Sequence, residues 1–170
     1  MNVSGGDEMG GFAVLGVGNT LMTDDGVGVH ALKHLEARHP DPDVDCLDAG
    51  TVGLALMPRL GDLDGLVAVD AMRLGKSPGT ITVLTGEAMD THLRNHHGSV
   101  HELGLSDIMD ALRLADDLPP RRALVGIEPE TIDWGTEPTS TVAAVIPEAV
   151  DAIHDLITTW KKATLTETAA

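Results

Sequence analysis

Short runs of valine, leucine and alanine alternate along this chain with longer polar segments in which apolar residues return every three or four positions. The runs suit strands covered on both faces, and the spaced residues suit helices with one face turned inward. Residues 12–17 predict a first strand. In residues 26–38, Val27, Ala31, Leu32 and Leu35 line one helical face. Residues 43–47 predict a second strand that runs into Asp48-Ala49-Gly50-Thr51, and residues 53–60 a short second helix. A third strand over residues 65–69 ends at Asp70. Pro78-Gly79 then turns the chain into a fourth at residues 80–84. That connection is too short for a crossover helix, so the fourth strand is expected to pair antiparallel with the third, at an edge.

Residues 103–114 carry Leu105, Ile108, Met109 and Leu112 on one helical face, and Pro119-Pro120 stops the helix. Residues 122–126 predict a fifth strand, followed by Ile127-Glu128-Pro129-Glu130 and a polar loop to Ser140. The last helix is marked by Val142, Val145, Ile146, Ala149, Val150, Ile153 and Ile157, with Pro147 expected to bend or restart it. The alternation predicts an α/β fold: one three-layer α/β/α domain over residues 12–163, built on a five-stranded, mostly parallel twisted sheet with one antiparallel edge strand. Residues 1–11 read as a flexible acidic and glycine-rich tail, and residues 164–170 as a frayed end.

Composition narrows the function. With 27 acidic against 11 basic side chains the formal charge is -16, which opposes docking on nucleic acid or an anionic membrane. Aromatic residues make up 2%, too few for stacking bases. Cys46 is the single cysteine, so an intrachain disulfide and a multi-cysteine metal site are excluded, and a reducing cytoplasm fits best. No apolar run reaches the length of a membrane span.

In sheets of this class the site lies beyond the carboxyl ends of the strands, where Gly16, Asp48, Asp70 and Glu128 fall. The first such loop reads Gly16-Val17-Gly18-Asn19-Thr20-Leu21-Met22-Thr23-Asp24-Asp25-Gly26. Its glycines resemble a phosphate-binding turn, but the third glycine of the dinucleotide fingerprint is missing, and two carboxylates stand where a phosphate would sit. Like charges about 4 Å apart repel by roughly 4 kcal/mol at an effective dielectric of 20. The loop therefore suits a cation, a proton or a peptide. Either Asp24 or Asp25 is free to cap the following helix, leaving the other for the cleft.

Asp70 closes a strand expected to be buried, and either backbone amides of the next loop or a ligand must hold it. Asp48 has the same strand-end position, but the second copy that an aspartic-protease dyad needs is absent. His92, His96, His97 and His101 cluster within ten residues. His101-Glu102-Leu103-Gly104-Leu105 lacks the final histidine of the zinc-protease helix, and no GxSxG occurs. What remains is an oxygen, oxygen, nitrogen set, Asp25, Asp70 and His101, suited to a borderline divalent ion with open positions.

Several spaced motifs now form an ordered series. Leu15-Gly16-Val17-Gly18-Asn19 with Asp24-Asp25-Gly26-Val27-Gly28 is followed by Asp48-Ala49-Gly50-Thr51, Val69-Asp70-Ala71 and Pro78-Gly79-Thr80. Ser99-Val100-His101-Glu102-Leu103-Gly104-Leu105, Val125-Gly126-Ile127-Glu128-Pro129-Glu130 and Pro138-Thr139 complete it. The series resembles the hydrogenase maturation endopeptidases over residues 12–156.

The resemblance implies a cytoplasmic endopeptidase that removes a C-terminal extension from the large-subunit precursor of a [NiFe] hydrogenase once nickel is inserted. The nickel is supplied by that precursor, and no organic cofactor is implied. On this sequence the nickel contacts fall on Asp25, Asp70 and His101, the first being glutamate in some members. Asp25, Asp70 and Asp48 are the candidate general bases for water. His92, His96 and His97 stand outside the motif. The alternatives are a non-catalytic metal-sensing chaperone for the loaded precursor and a nucleotide-binding flavodoxin-like domain.

Overall fold

The computed structural model describes residues 11–50, 53–95 and 100–168, with the side chains of residues 100–103 and 168 left out of the description. The strands are β1 (Gly11–Val17), β2 (Val44–Gly50), β3 (Leu63–Ala71), β4 (Ile81–Thr85) and β5 (Arg121–Ile127). The helices are α1 (Val27–Arg38), α2 (Glu87–Asn95), α3 (Val100–Leu114), α4 (Ser140–Ala143) and α5 (Ile146–Thr168). Two 3-10 segments, Thr23–Gly26 and Gly53–Arg59, follow β1 and β2.

The sheet order is β2-β1-β3-β5-β4, with every pair parallel except β4–β5. The antiparallel edge strand expected from sequence is present, but its partner is β5 and not β3. The reason lies in the segment between β3 and β4. It swings out far enough for β5 to enter between them, held by Leu74 and Met72 N–H groups donating to the Glu128 carboxylate at 2.8 Å and the Ile127 carbonyl at 2.9 Å.

Strand alternation sorts the core into two layers. Val14, Val67, Val69 and Val125 face α1 and α5, where Leu32, Val150 and Ile153 complete the packing. Leu15, Leu66, Ala68 and Leu124 face α2 and α3, where Met89, Ile108 and Leu112 pack. Helix α2 has no counterpart in the sequence-based expectation. Only Met89 and Leu93 give it an apolar stripe, and Asp90 and His92, both buried, fill the rest of its inner face. At the end of the chain Pro147 restarts the helix: α4 stops at Ala143 and α5 begins at Ile146, placing the proline in its first turn. Helix α5 then continues to Thr168, past the point where composition suggests fraying.

Candidate active site

Between β1 and β3 the chain reverses its direction of travel across the sheet. From β1 it passes through α1 to β2 on one side, while β3 lies on the other, and the α1 and α3 layers cover opposite faces. Such a reversal opens a crevice at the carboxyl ends of the two strands. Asp25 lies in the loop leaving β1, and Asp70 sits near the end of β3, in register with Gly126. The two are 6% and 4% exposed, so both carboxylates are withdrawn from bulk water at the crevice.

The first loop is shaped by close backbone packing. Gly18 adopts φ +116°, and a Cβ there would fall inside the Asp25 carbonyl group. The space a phosphate-binding turn would leave open is filled by the chain's own backbone. Asn19 N–H donates to the Asp25 carboxylate at 2.9 Å, fixing Oδ2 toward the start of the loop.

Asp24 answers the capping question differently from either sequence-based option. The α1 N-cap is Gly26, without a side-chain cap. Asp24, fully buried, instead reaches the loop after β5. It accepts N–H groups of Glu130 at 2.9 Å, Thr131 at 3.0 Å and Thr139 at 2.6 Å, and the Thr139 hydroxyl at 3.0 Å. Beside it Thr23 holds φ +46°, a sparsely populated conformation for a β-branched residue. Its N–H donates to the Gly135 carbonyl at 2.8 Å and its hydroxyl to the Thr131 carbonyl at 2.8 Å, bonds that hold the strained backbone in place. The pairing of two neighbouring aspartates was visible in the sequence. The division of labour between them depended on a partner more than 100 residues away.

Asp48 pairs with Gly16 in the sheet register, so it shares this end of the sheet. Its side chain follows the alternation of Val44 and Cys46, on the face opposite to Asp70, and it is exposed. His101 lies in the first turn of α3, the helix that packs on the same face as Asp70. A Cβ on Gly53 would stand 3.8 Å from the Gly104 carbonyl oxygen, so the opening of α3 lies beside the chain leaving β2. The His101 side chain falls outside the described residues, as do His96 and His97. His92 is buried in α2 and not on a solvated loop. Among the described residues no three His, Cys, Asp or Glu side chains are grouped to hold a metal ion.

Two other features complete the electrostatic picture. Cys46 is half-buried, and its thiol is pushed up to about 11 by burial, helped by Glu36, Asp45 and Asp41. It remains protonated at neutral pH and is a poor nucleophile. A cleft of about 520 Å³ near Cys46 and His154 opens at the amino end of β2 and holds neither Asp25 nor Asp70. It lies at the wrong end of the strands for the chemistry of this fold. No helix among the described residues is long and apolar enough to cross a membrane.

A doubly covered, mostly parallel sheet with buried carboxylates at its switch point makes an open three-layer α/β/α scaffold whose crevice is acidic rather than shaped for a phosphate. The family model for hydrogenase maturation protease matches residues 29–156, and the chain belongs to that family. It is accordingly a hydrolase of the peptidase class. It is similar to the hydrogenase 2 maturation protease of Escherichia coli K12, with 39% identity over 142 residues, covering 82% of this chain and 86% of that protein. It is also similar to the hydrogenase expression/formation protein HupD of Rhizobium leguminosarum, with 32% identity across 86% of this chain and 74% of that protein. In structure it matches the hydrogenase maturating endopeptidase HybD from E. coli with a TM-score of 0.78 at 34% identity, covering 84% of this chain and 89% of the other. The [NiFe] hydrogenase maturation protease HybD from Thermococcus kodakarensis gives a TM-score of 0.75 at 27% identity, over 86% of this chain and 98% of the other.

Proposed function

We propose that this protein is a cytoplasmic endopeptidase that removes the C-terminal extension of a [NiFe] hydrogenase large-subunit precursor after nickel insertion, and that it reads the nickel carried by that precursor. The observation that carries the reading is the burial of Asp25 and Asp70 at the two strand ends flanking the switch point, in a chain of the maturation protease family. Buried carboxylates favour a cation that arrives with the substrate, because it offsets the cost of holding negative charge away from water.

Asp25, Asp70 and His101 are the proposed contacts to the substrate's nickel. The scissile bond then lies close to the metal, which orients it, and a carboxylate accepts a proton from the attacking water. Of the three candidates for that base, Asp25 and Asp70 are favoured over Asp48, which is exposed and on the other face of the sheet. The protein itself is proposed to need no organic cofactor.

Incubation of the protein with nickel-loaded and nickel-free precursor, followed by mass spectrometry, tests the reading. The loaded form yields a shortened large subunit and a released peptide, and the nickel-free form stays intact. Stable binding of loaded precursor without any released peptide would instead support a chaperone role.

A further inference from the structure

We propose that Leu21 and Trp134 form a docking face for the precursor protein, meeting an apolar recess on it that is flanked by lysine or arginine side chains. The inference rests on the proposed maturation activity and adds to it the surface by which the protein partner is held.

Trp134 is 80% exposed and Leu21 54% exposed, in a chain with only two tryptophans. An indole left in water offers a large rigid apolar area, and tryptophan is enriched where binding energy concentrates in interfaces. The two residues come from loops distant in sequence but joined in space: Gly135 N–H donates to the Leu21 carbonyl at 3.0 Å, directly after Trp134. The Asp24 bonds to Glu130, Thr131 and Thr139 and the Thr23 bonds to Thr131 and Gly135 lock both loops before any partner arrives. A surface ordered in advance loses less entropy on binding.

The choice of occupant follows from charge and position. The loops over residues 18–26 and 128–139 contain six carboxylates and no lysine or arginine. Glu130, Asp133 and Glu137 are exposed around Trp134. A second copy of this chain, at a formal charge of -16, would bring the same acidic rim against it, whereas a basic rim on a partner is complementary. The face is also continuous with the crevice, since Leu21 lies between Asn19 and Asp25, which are joined by the Asn19 N–H bond. A precursor seated on Leu21 and Trp134 therefore has its tail at the mouth of the site.

The test uses the full chain and nickel-loaded precursor. Cleavage kinetics are measured for wild type, Trp134→Ala, Leu21→Ser, the double variant, and a triple reversal, Glu130→Lys with Asp133→Lys and Glu137→Lys. Circular dichroism verifies that each variant is folded, as expected for exposed positions. The expected result is a KM at least tenfold higher for Trp134→Ala and higher still for the double variant, with kcat within twofold of wild type. The triple reversal raises KM at low salt, with a smaller effect at high salt. Unchanged KM in the double variant, while wild type cleaves normally, overturns the docking face and leaves the proposed activity standing. So does a wild-type dimer in sedimentation that Trp134→Ala converts to monomer without change in KM, which assigns the face to self-association. Wild type that neither binds nor cleaves loaded precursor overturns both readings.

Discussion

The Thr139 N–H and the Asp24 carboxylate, 115 residues apart in sequence, meet at 2.6 Å. Through this bond the first loop of the sheet and the approach to the last helices become one structure. Thr139 is also the N-cap of α4, its hydroxyl accepting the Val142 N–H at 3.4 Å, so the same residue anchors the loop and starts the helix. Asp25, next along the chain, is thereby positioned without being consumed in that bonding.

This separation of roles predicts different phenotypes for neighbouring aspartates. Asp24→Ala removes a fully buried carboxylate and the acceptor it gives to three backbone donors and a hydroxyl of the loop after β5. Hydrogen bonds to charged groups contribute about 1.5–3 kcal/mol each and do not add fully, so a loss on the order of 3 kcal/mol is expected. Urea denaturation should show it as a lowered midpoint with an unchanged slope. A midpoint equal to wild type would mean that the loops do not depend on Asp24.

For Asp70→Asn the expected outcome is the reverse. The substitution keeps shape and removes charge, and cleavage of loaded precursor is expected to fall by about 100-fold or more, the size of a lost general base. The melting temperature should stay within about 4 °C of wild type, the shift that about 1 kcal/mol produces in a domain of this size. The same assay applied to Asp25→Asn separates the two carboxylates, and unchanged cleavage in either variant removes that residue from the site.

Much of this arrangement was legible from residue patterns, and the gaps have specific causes. Five strands and the outer helices announced themselves because their apolar residues repeat at strand or helix spacing, as Val142 to Ile157 do. Helix α2 did not, because its buried face is half polar: Asp90 is held there by Arg122 from β5, a contact no local window contains. The partner of β4 differs from the expected one for a related reason. Sequence neighbours suggested β3, but Glu128 and Ile127 at the end of β5 hold the intervening segment aside. At the site, Asp70 and Asp48 fall near the carboxyl ends of β3 and β2 and Asp25 in the loop after β1, as the sequence pattern suggests, yet only the pleat of the sheet shows that Asp48 points away from Asp70.

The Asp90–Arg122 pair gives a pH-dependent prediction. Arg122 Nε and Nη2 donate to the two carboxylate oxygens at 2.9 and 2.7 Å, and this bonding holds the Asp90 carboxyl below its ordinary range. The charged form is the one favoured on folding. Its contribution is therefore complete above the unfolded value of about 3.9 and is lost as pH falls from there through the lower folded value. Asp90→Asn should lower stability at pH 7 by about 1–3 kcal/mol, since the partly buried Arg122 loses the charged acceptor of two of its hydrogen bonds. The gap between variant and wild type should narrow below about pH 4. Denaturation curves across that range check it, and a gap independent of pH would show that charge is not the cause.

Two glycines predict opposite signs for one substitution. Gly28 opens α1 where the helix lies directly on the sheet, and a Cβ there would fall within the carbonyl oxygens of Val69 and Val17. Both obstacles are backbone, so α1 would have to withdraw from β1 and β3 and carry the first loop with it. Gly28→Ala is expected to cost about 3 kcal/mol or more. Gly104 lies inside α3, where an added Cβ meets nothing within 4 Å, and its flexibility in the unfolded chain is a pure loss to the helix. Gly104→Ala is expected to raise stability by about 0.5–1 kcal/mol. Thermal melts of the two variants side by side settle the matter. A stabilised Gly28→Ala would mean that α1 is not seated on the strands as described, and that the close approach of Gly28 to Val17 and Val69 is not what fixes the first loop above β1 and β3.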